Sequence, residues 1–197
     1  MIKMAQEEII KSYIGEAADL KNALLGNSEF VRAVYKAIEI VNNCFRSGNK
    51  LLIAGNGGSA AEAQHFAAEI VTGYKNFERK GYPAIALTTD SSMMTAWSND
   101  KNFHTLFARK IEALGKQGDV FVGISTSGNS QNIIEGVKRA KEMGIKTICF
   151  LGRDGGKLKN LADHVIVVPS ENTPRIQEVH MMLTHIICEE VEKTTLV

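Results

Sequence analysis

The residues of this chain best suited to chemistry lie in two short turns and two helical segments. Ser125-Thr126-Ser127-Gly128-Asn129-Ser130 puts four hydroxyls into six residues, and Gly128 permits tight curvature. The run holds no Lys or Arg. Hydroxyls and backbone N–H groups in such a turn can bind a phosphate monoester reversibly, helped by the partial positive charge of a helix N-terminus. The plainer reading is a polar turn in which Ser130 caps the next helix. A second turn, Gly55-Asn56-Gly57-Gly58-Ser59, has the same strand-to-helix setting. Its Gly55-x-Gly57-x-x-Ala60 spacing also matches the dinucleotide fingerprint, which expects an acid about 20 residues later. Here the second apolar run ends at Thr88-Thr89-Asp90, some 30 residues on, which disfavours that reading. Neither turn is followed by the Gly-Lys-Ser/Thr of a P-loop.

The segment after the first turn carries Glu62, His65 and Glu69. On a helix, His65 and Glu69 are i and i+4 and share a face. They can hold a metal together, act as acid and base beside a sugar, or form a solvated surface pair. The last helical segment carries Gln177, Glu178, His180 and His185. Gln177 and His185 are separated by about 12 Å of helix rise and roughly 80° of facing. One small site in one chain is stretched to use both, so the spacing predicts a site between subunits. His104 and His164 read as structural or exposed.

These side chains need a scaffold, and the apolar pattern supplies one. Five short, near-continuously apolar runs begin at Leu51, Ala84, Val120, Thr147 and Val165. Strands buried on both faces read this way. Helical segments lie between them near 59–74, 102–115 and 130–143, and a last one runs from about Pro174 to about 193. Alternation of this kind implies α/β architecture with a parallel sheet and right-handed crossovers. Both turns then fall at the carboxyl ends of parallel strands, where open α/β sheets bind ligands. Residues 4 to about 48 read as two helices broken at Asn27-Ser28, with apolar faces suited to packing between subunits. The whole, residues 1–197, reads as one domain: a helical arm over 1–49 and an α/β core over 50–197.

Net charge is +1, so no excess of positive charge favours nucleic acid or an anionic membrane. No apolar run approaches the ~20 residues of a membrane span. The first residues alternate acids with apolar side chains and do not read as a secretory signal. Cys44, Cys149 and Cys188 are far apart among apolar neighbours, as buried reduced thiols of a cytoplasmic protein would be.

Gly55 through Glu69, Ile124 through Ser130 and Arg175-Ile176-Gln177-Glu178-Val179-His180 together resemble the phosphoheptose isomerase family, a branch of the sugar isomerase (SIS) fold. Pro83 through Asp90, Asn99-Asp100 and Gly152-Arg153-Asp154-Gly155-Gly156 fit as well. The resemblance implies a three-layer αβα fold with a five-stranded, flavodoxin-like parallel sheet. It implies conversion of sedoheptulose 7-phosphate to D-glycero-D-manno-heptose 7-phosphate, the first step toward nucleotide-activated heptose for lipopolysaccharide or capsule. It also implies a homotetramer with sites at subunit interfaces. By motif, Ser125, Thr126, Ser127 and Ser130 would hold the phosphate. Asn56, Gly57, Gly58, Ser59, Asn99, Asp100 and Gln177 would line the sugar. Glu69 and His185 would be the catalytic pair, and His65, Glu69, Gln177 and His185 would bind zinc.

Two positions depart from the family pattern. Trp97-Ser98 stands where a small apolar residue and Gly are expected, and a bulky ring there could reshape the sugar pocket. Pro174 stands where some members carry an acid. The competing class is a non-catalytic SIS-fold tetramer that binds a replication initiator protein, which lacks the catalytic Glu and the last-helix His. This chain has both Glu69 and His185. An isomerase of another sugar phosphate is a further alternative.

Overall fold

Strands buried on both sides need apolar residues throughout, and the computed structural model, which describes residues 2–194, places five predominantly apolar segments in one parallel sheet, fully buried at its centre and partly buried at its two edges. They are β1 (Leu51–Ala54), β2 (Ala84–Ala86), β3 (Val120–Ser125), β4 (Lys146–Gly152) and β5 (His164–Val168), in the order β2-β1-β3-β4-β5. Leu51 pairs with Ala84 on one side and with Val120 on the other, so the chain reverses its direction of travel across the sheet between β1 and β3. That is the flavodoxin-like order, and its ligand crevice opens at this switch point.

Among the described residues seven α-helices accompany the sheet: α1 (Ile2–Leu25), α2 (Ser28–Arg46), α3 (Gly58–Thr72), α4 (Ser91–Asp100), α5 (Leu106–Leu114), α6 (Gln131–Glu142) and α7 (Thr173–Thr194), with α1 packed on α2 and α7. Alternate strand residues face opposite layers. Leu51, Ile53, Val122, Ile124 and Phe150 pack with α2, α3 and α7. Leu52, Ala54, Phe121, Cys149 and Leu151 pack with α5 and α6. The result is the expected three-layer sandwich.

The helical arm matches its sequence pattern. Asn27 ends the first helix and caps the second, its side chain accepting the N–H groups of Glu29 and Phe30. Phe30, Val34, Ala37, Val41 and Phe45 recur at helical spacing and are buried. The apolar face of α1 is not: Ile9, Ile10, Tyr13 and Ile14 are all exposed.

One element departs from expectation. Ser91–Asp100, which the apolar pattern did not mark as a helix, forms α4, and Ser98-Asn99-Asp100 is its last turn. Asp90 starts that helix by accepting the Met93 N–H.

Candidate active site

The turns after β1 and β3 are neighbours because their strands are. Gly57 has φ +56°, which favours glycine, and it caps α3 without a side-chain bond. Ser130 caps α6 in the same bare way. Its hydroxyl lies instead 2.9 Å from the Ser125 hydroxyl. Simple capping by Ser130 is therefore replaced by a hydroxyl pair in the turn. The opening amides of both helices are left without side-chain caps, the arrangement that attracts an anion.

The second turn is braced from behind. Ser127 Oγ accepts the Asn129 N–H at 3.2 Å, and the Asn129 amide donates to the Ser127 carbonyl. Asn129 Oδ1 accepts the Lys157 N–H, and the Gly128 carbonyl accepts the Leu158 N–H. Gly128 (φ +64°) packs directly against the Gly155 carbonyl, leaving no room for a Cβ.

The two turns are tied to each other. Asn56 and Asn132 exchange two amide bonds, of 2.9 and 2.8 Å, so the Asn56 side chain is engaged with the start of α6. Asn132 is buried and was not singled out from sequence. Its role depends on β1 lying beside β3, which no local spacing reveals.

Helices α3 and α7 run parallel on one face of the sheet. The Gln177 amide lies against Gly58, where an added Cβ would meet Nε2 at 2.5 Å. Further along, His65 Nε2 and His185 Nε2 are 2.9 Å apart with rings edge to face. Glu69 Oε1 is 3.5 Å from His65 Nε2. A carboxylate and two imidazoles thus gather in a partly exposed cluster, as acid–base chemistry requires.

Gln177 is not part of that cluster within one chain. From α7 it lies against the start of α3, two helical turns from His65. The expected metal set therefore divides into His65, Glu69 and His185 in one place and Gln177 in another. Two imidazole nitrogens and a carboxylate are the donor chemistry zinc takes. Among the described residues no three His, Cys, Asp or Glu side chains close on one point as a finished metal site. The three present fit zinc as donors and would need a further ligand from elsewhere.

Other predicted positions are placed as follows. Asn99 and Asp100 are exposed and hydrogen-bond each other at 2.8 Å. Trp97 turns toward α5: its Nε1 donates to Thr105 Oγ1 and its ring lies under Arg109 at 5.2 Å. It is thus held against α5 rather than against either turn. His164 bonds the Ala33 carbonyl, and His104 is exposed in a 3-10 turn.

Between the turns and the cluster lies Glu62, buried at 2% exposure. Its closest partner is the Thr184 hydroxyl, which donates at 3.4 Å. Burial pushes this carboxyl up to about 8, opposed by the Thr184 bond. His180, wholly buried with Nε2 on the Leu151 carbonyl, is pushed down to about 4 by burial. All three cysteines are free and buried, and burial lifts Cys44 and Cys149 to about 12, so they are inert as nucleophiles.

Comparison with known proteins agrees with this fold. Residues 12–152 match the family model of the SIS domain. A Clostridium acetobutylicum protein named phosphoheptose isomerase is 47% identical over 187 residues, 95% of each chain. One of the same name from Helicobacter pylori is 47% identical over 191 residues, 96% of this chain and 97% of its own. The solved phosphoheptose isomerase of Neisseria gonorrhoeae superposes with a TM-score of 0.89 at 41% identity, covering 95% of this chain and 99% of its own. That of Francisella tularensis gives 0.90 at 34% identity, covering 95% and 98%.

Proposed function

From the premise that this chain belongs to the SIS domain family, in its phosphoheptose isomerase branch, we infer that it interconverts sedoheptulose 7-phosphate and D-glycero-D-manno-heptose 7-phosphate. The observation that carries the chemistry is the gathering of Glu69, His65 and His185 on two parallel helices that both start beside the turns. The relatives reported above carry the name of an isomerase, and nothing in them supports the initiator-binding alternative.

The phosphate is read onto Ser125, Thr126, Ser127, Ser130 and the open amides of α6. The sugar is read onto Asn56, Gly57, Gly58, Ser59 and Gln177, with Asn99 and Asp100 reaching it from the end of α4. Glu69 takes a proton from C1 of the ketose and returns it to C2. His185 protonates the C2 oxygen and accepts the proton of the C1 hydroxyl. Such proton transfers each contribute typically about 10²–10⁴-fold. Zinc held by His65, Glu69 and His185 would supply Lewis-acid polarisation of the substrate carbonyl. Gln177 of another copy is the candidate for the fourth ligand.

Distance argues that the site is shared. Glu69 lies eleven residues into α3 from Gly58, roughly 16 Å of rise away from its own turns. His185 lies eight residues past Gln177, which sits on Gly58, roughly 12 Å of rise. The gap to Glu69 exceeds the length of a seven-carbon sugar phosphate, and the gap to His185 takes up all of it. The reading is therefore that the turns of one copy hold the substrate and the cluster of another works on it, within a homotetramer. Exposed apolar side chains support association. Leu25, Val31, Tyr35 and Ile186 are exposed and line a groove of about 410 Å³ beside the exposed face of α1. The heptose product would serve lipopolysaccharide or capsule. No helix among the described residues is long and apolar enough to cross a membrane, and the reading places the enzyme in the cytoplasm.

The test is direct: assay sedoheptulose 7-phosphate turnover with Glu69→Gln as the paired variant. Turnover lost with phosphosugar binding kept is expected. Wild-type rates in the variant would remove Glu69 as the base.

A further inference from the structure

Arg79 and Glu192 form a buried ion pair that no sequence motif announced. Their side chains are 4% and 6% exposed, with Arg79 Nε donating to Glu192 Oε2 at 3.0 Å. The same carboxylate accepts the backbone N–H groups of Tyr74, Lys75 and Asn76, each at 2.9 Å. Burial raises the Glu192 carboxyl, but the Tyr74 amide, the guanidinium and the other two amides outweigh it and hold the group below its usual range. A fold that only needed to close the 73–83 segment would not require a charge buried there, because apolar residues of similar volume serve as well.

What the pair touches points to its use. Arg79 Nη2 donates to the carbonyl of Glu69 itself at 3.1 Å and to that of Ile70 at 3.0 Å, gripping the last turn of α3 at the residue read as the base. Its guanidinium also lies over the Tyr82 ring at 4.8 Å. On the other side, Tyr74, whose N–H Glu192 holds, lays its ring 5.7 Å from the His185 imidazole. Glu192 stands on α7, two helical turns past His185. One buried contact therefore reaches Glu69 through its backbone and His185 through an aromatic ring, on two different helices.

We propose that Arg79, Glu192 and Tyr74 are positioning residues that fix Glu69 and His185 relative to each other by locking the C-terminal end of α3 onto α7. None of them touches substrate in this account. Their effect falls on kcat, because the phosphate turn lies at the other end of both helices. This inference rests on the reading of Glu69 and His185 as the proton-transfer pair.

Two variants test it without stranding a buried charge. Arg79→Lys keeps a cation facing Glu192, but one ammonium cannot also reach two carbonyls in the fork geometry of Arg. Tyr74→Leu removes the ring beside His185 and leaves the ion pair alone. Both are assayed with sedoheptulose 7-phosphate at a temperature where circular dichroism shows native folding, with Glu69→Gln in parallel. Expected is a kcat loss of about 10- to 100-fold in each, the scale of an ångström misplacement, with KM within about threefold of wild type. The double variant should lose about as much as the worse single, since both act on one geometry. A kcat within about twofold of wild type in either variant, a KM that rises as kcat falls, or a double loss equal to the product of the singles would overturn the proposal. If Glu69→Gln itself turns over normally, the proton-transfer reading fails; if only Arg79→Lys and Tyr74→Leu do, the positioning role alone fails.

Discussion

Replacing Glu62 with Gln should make the protein more stable at neutral and alkaline pH and leave it nearly unchanged in acid. The Glu62 carboxyl is buried at 2% exposure with one long bond from Thr184, and burial raises it from 4.5 to about 8. A group raised on folding contributes all its stability below its unfolded value and loses it as pH climbs to the folded one. The window is therefore pH 4.5 to 8. Across it, stability falls by about 1.4 kcal/mol per pH unit, reaching on the order of 3 kcal/mol at pH 7 and 5 kcal/mol above pH 8. Gln is neutral at every pH and removes this term. Urea denaturation of both proteins at pH 5, 6, 7 and 8, at one fixed protein concentration, reads the difference directly. The curves should nearly coincide at pH 5 and diverge in favour of Gln toward pH 8. Parallel curves across the window would show that Glu62 is ionised in the fold and that its burial has been misjudged.

Two further outcomes belong with the site. Ser127→Ala should raise KM about tenfold or more while changing kcat less, since a hydrogen bond to a charged group contributes about 1.5–3 kcal/mol; an unchanged KM would count against the phosphate turn. Elemental analysis of the purified protein should find zinc, and a chelator should remove the metal and the turnover together. Full turnover in metal-free protein would exclude a required ion.

The fold was legible because its strands are apolar on both faces, so Leu51–Ala54 and Val120–Ile124 announce themselves without alternation. The serine-rich turn after β3 stood out for a different reason: four hydroxyls in six residues is dense local chemistry. Helix α4 was hidden. Ser91–Asp100 fully buries none of its residues, and its apolar face is only the short Met93, Met94 and Trp97 patch, too brief to announce a helix. Contacts that depend on which strands are neighbours were hidden too. Asn56 and Asn132 meet only because β1 lies beside β3, and Arg79 and Glu192 only because α3 and α7 run in parallel. The spacing argument about Gln177 and His185 needed only the helical rise, and the structure keeps the two apart as that rise demands, with Gln177 on Gly58 and His185 on His65.

Subunit complementation tests the shared site most directly. Ser127→Asp places a carboxylate in the phosphate turn and should abolish binding by charge repulsion, while Glu69→Gln abolishes proton transfer. Each variant alone should be inactive. Co-expressed in equal amounts, they should recover roughly a quarter of wild-type turnover, because about one pairing in four joins an intact turn to an intact Glu69 from another copy. No recovery in oligomers shown to contain both variants would mean that each chain works on its own substrate, and the account would be wrong.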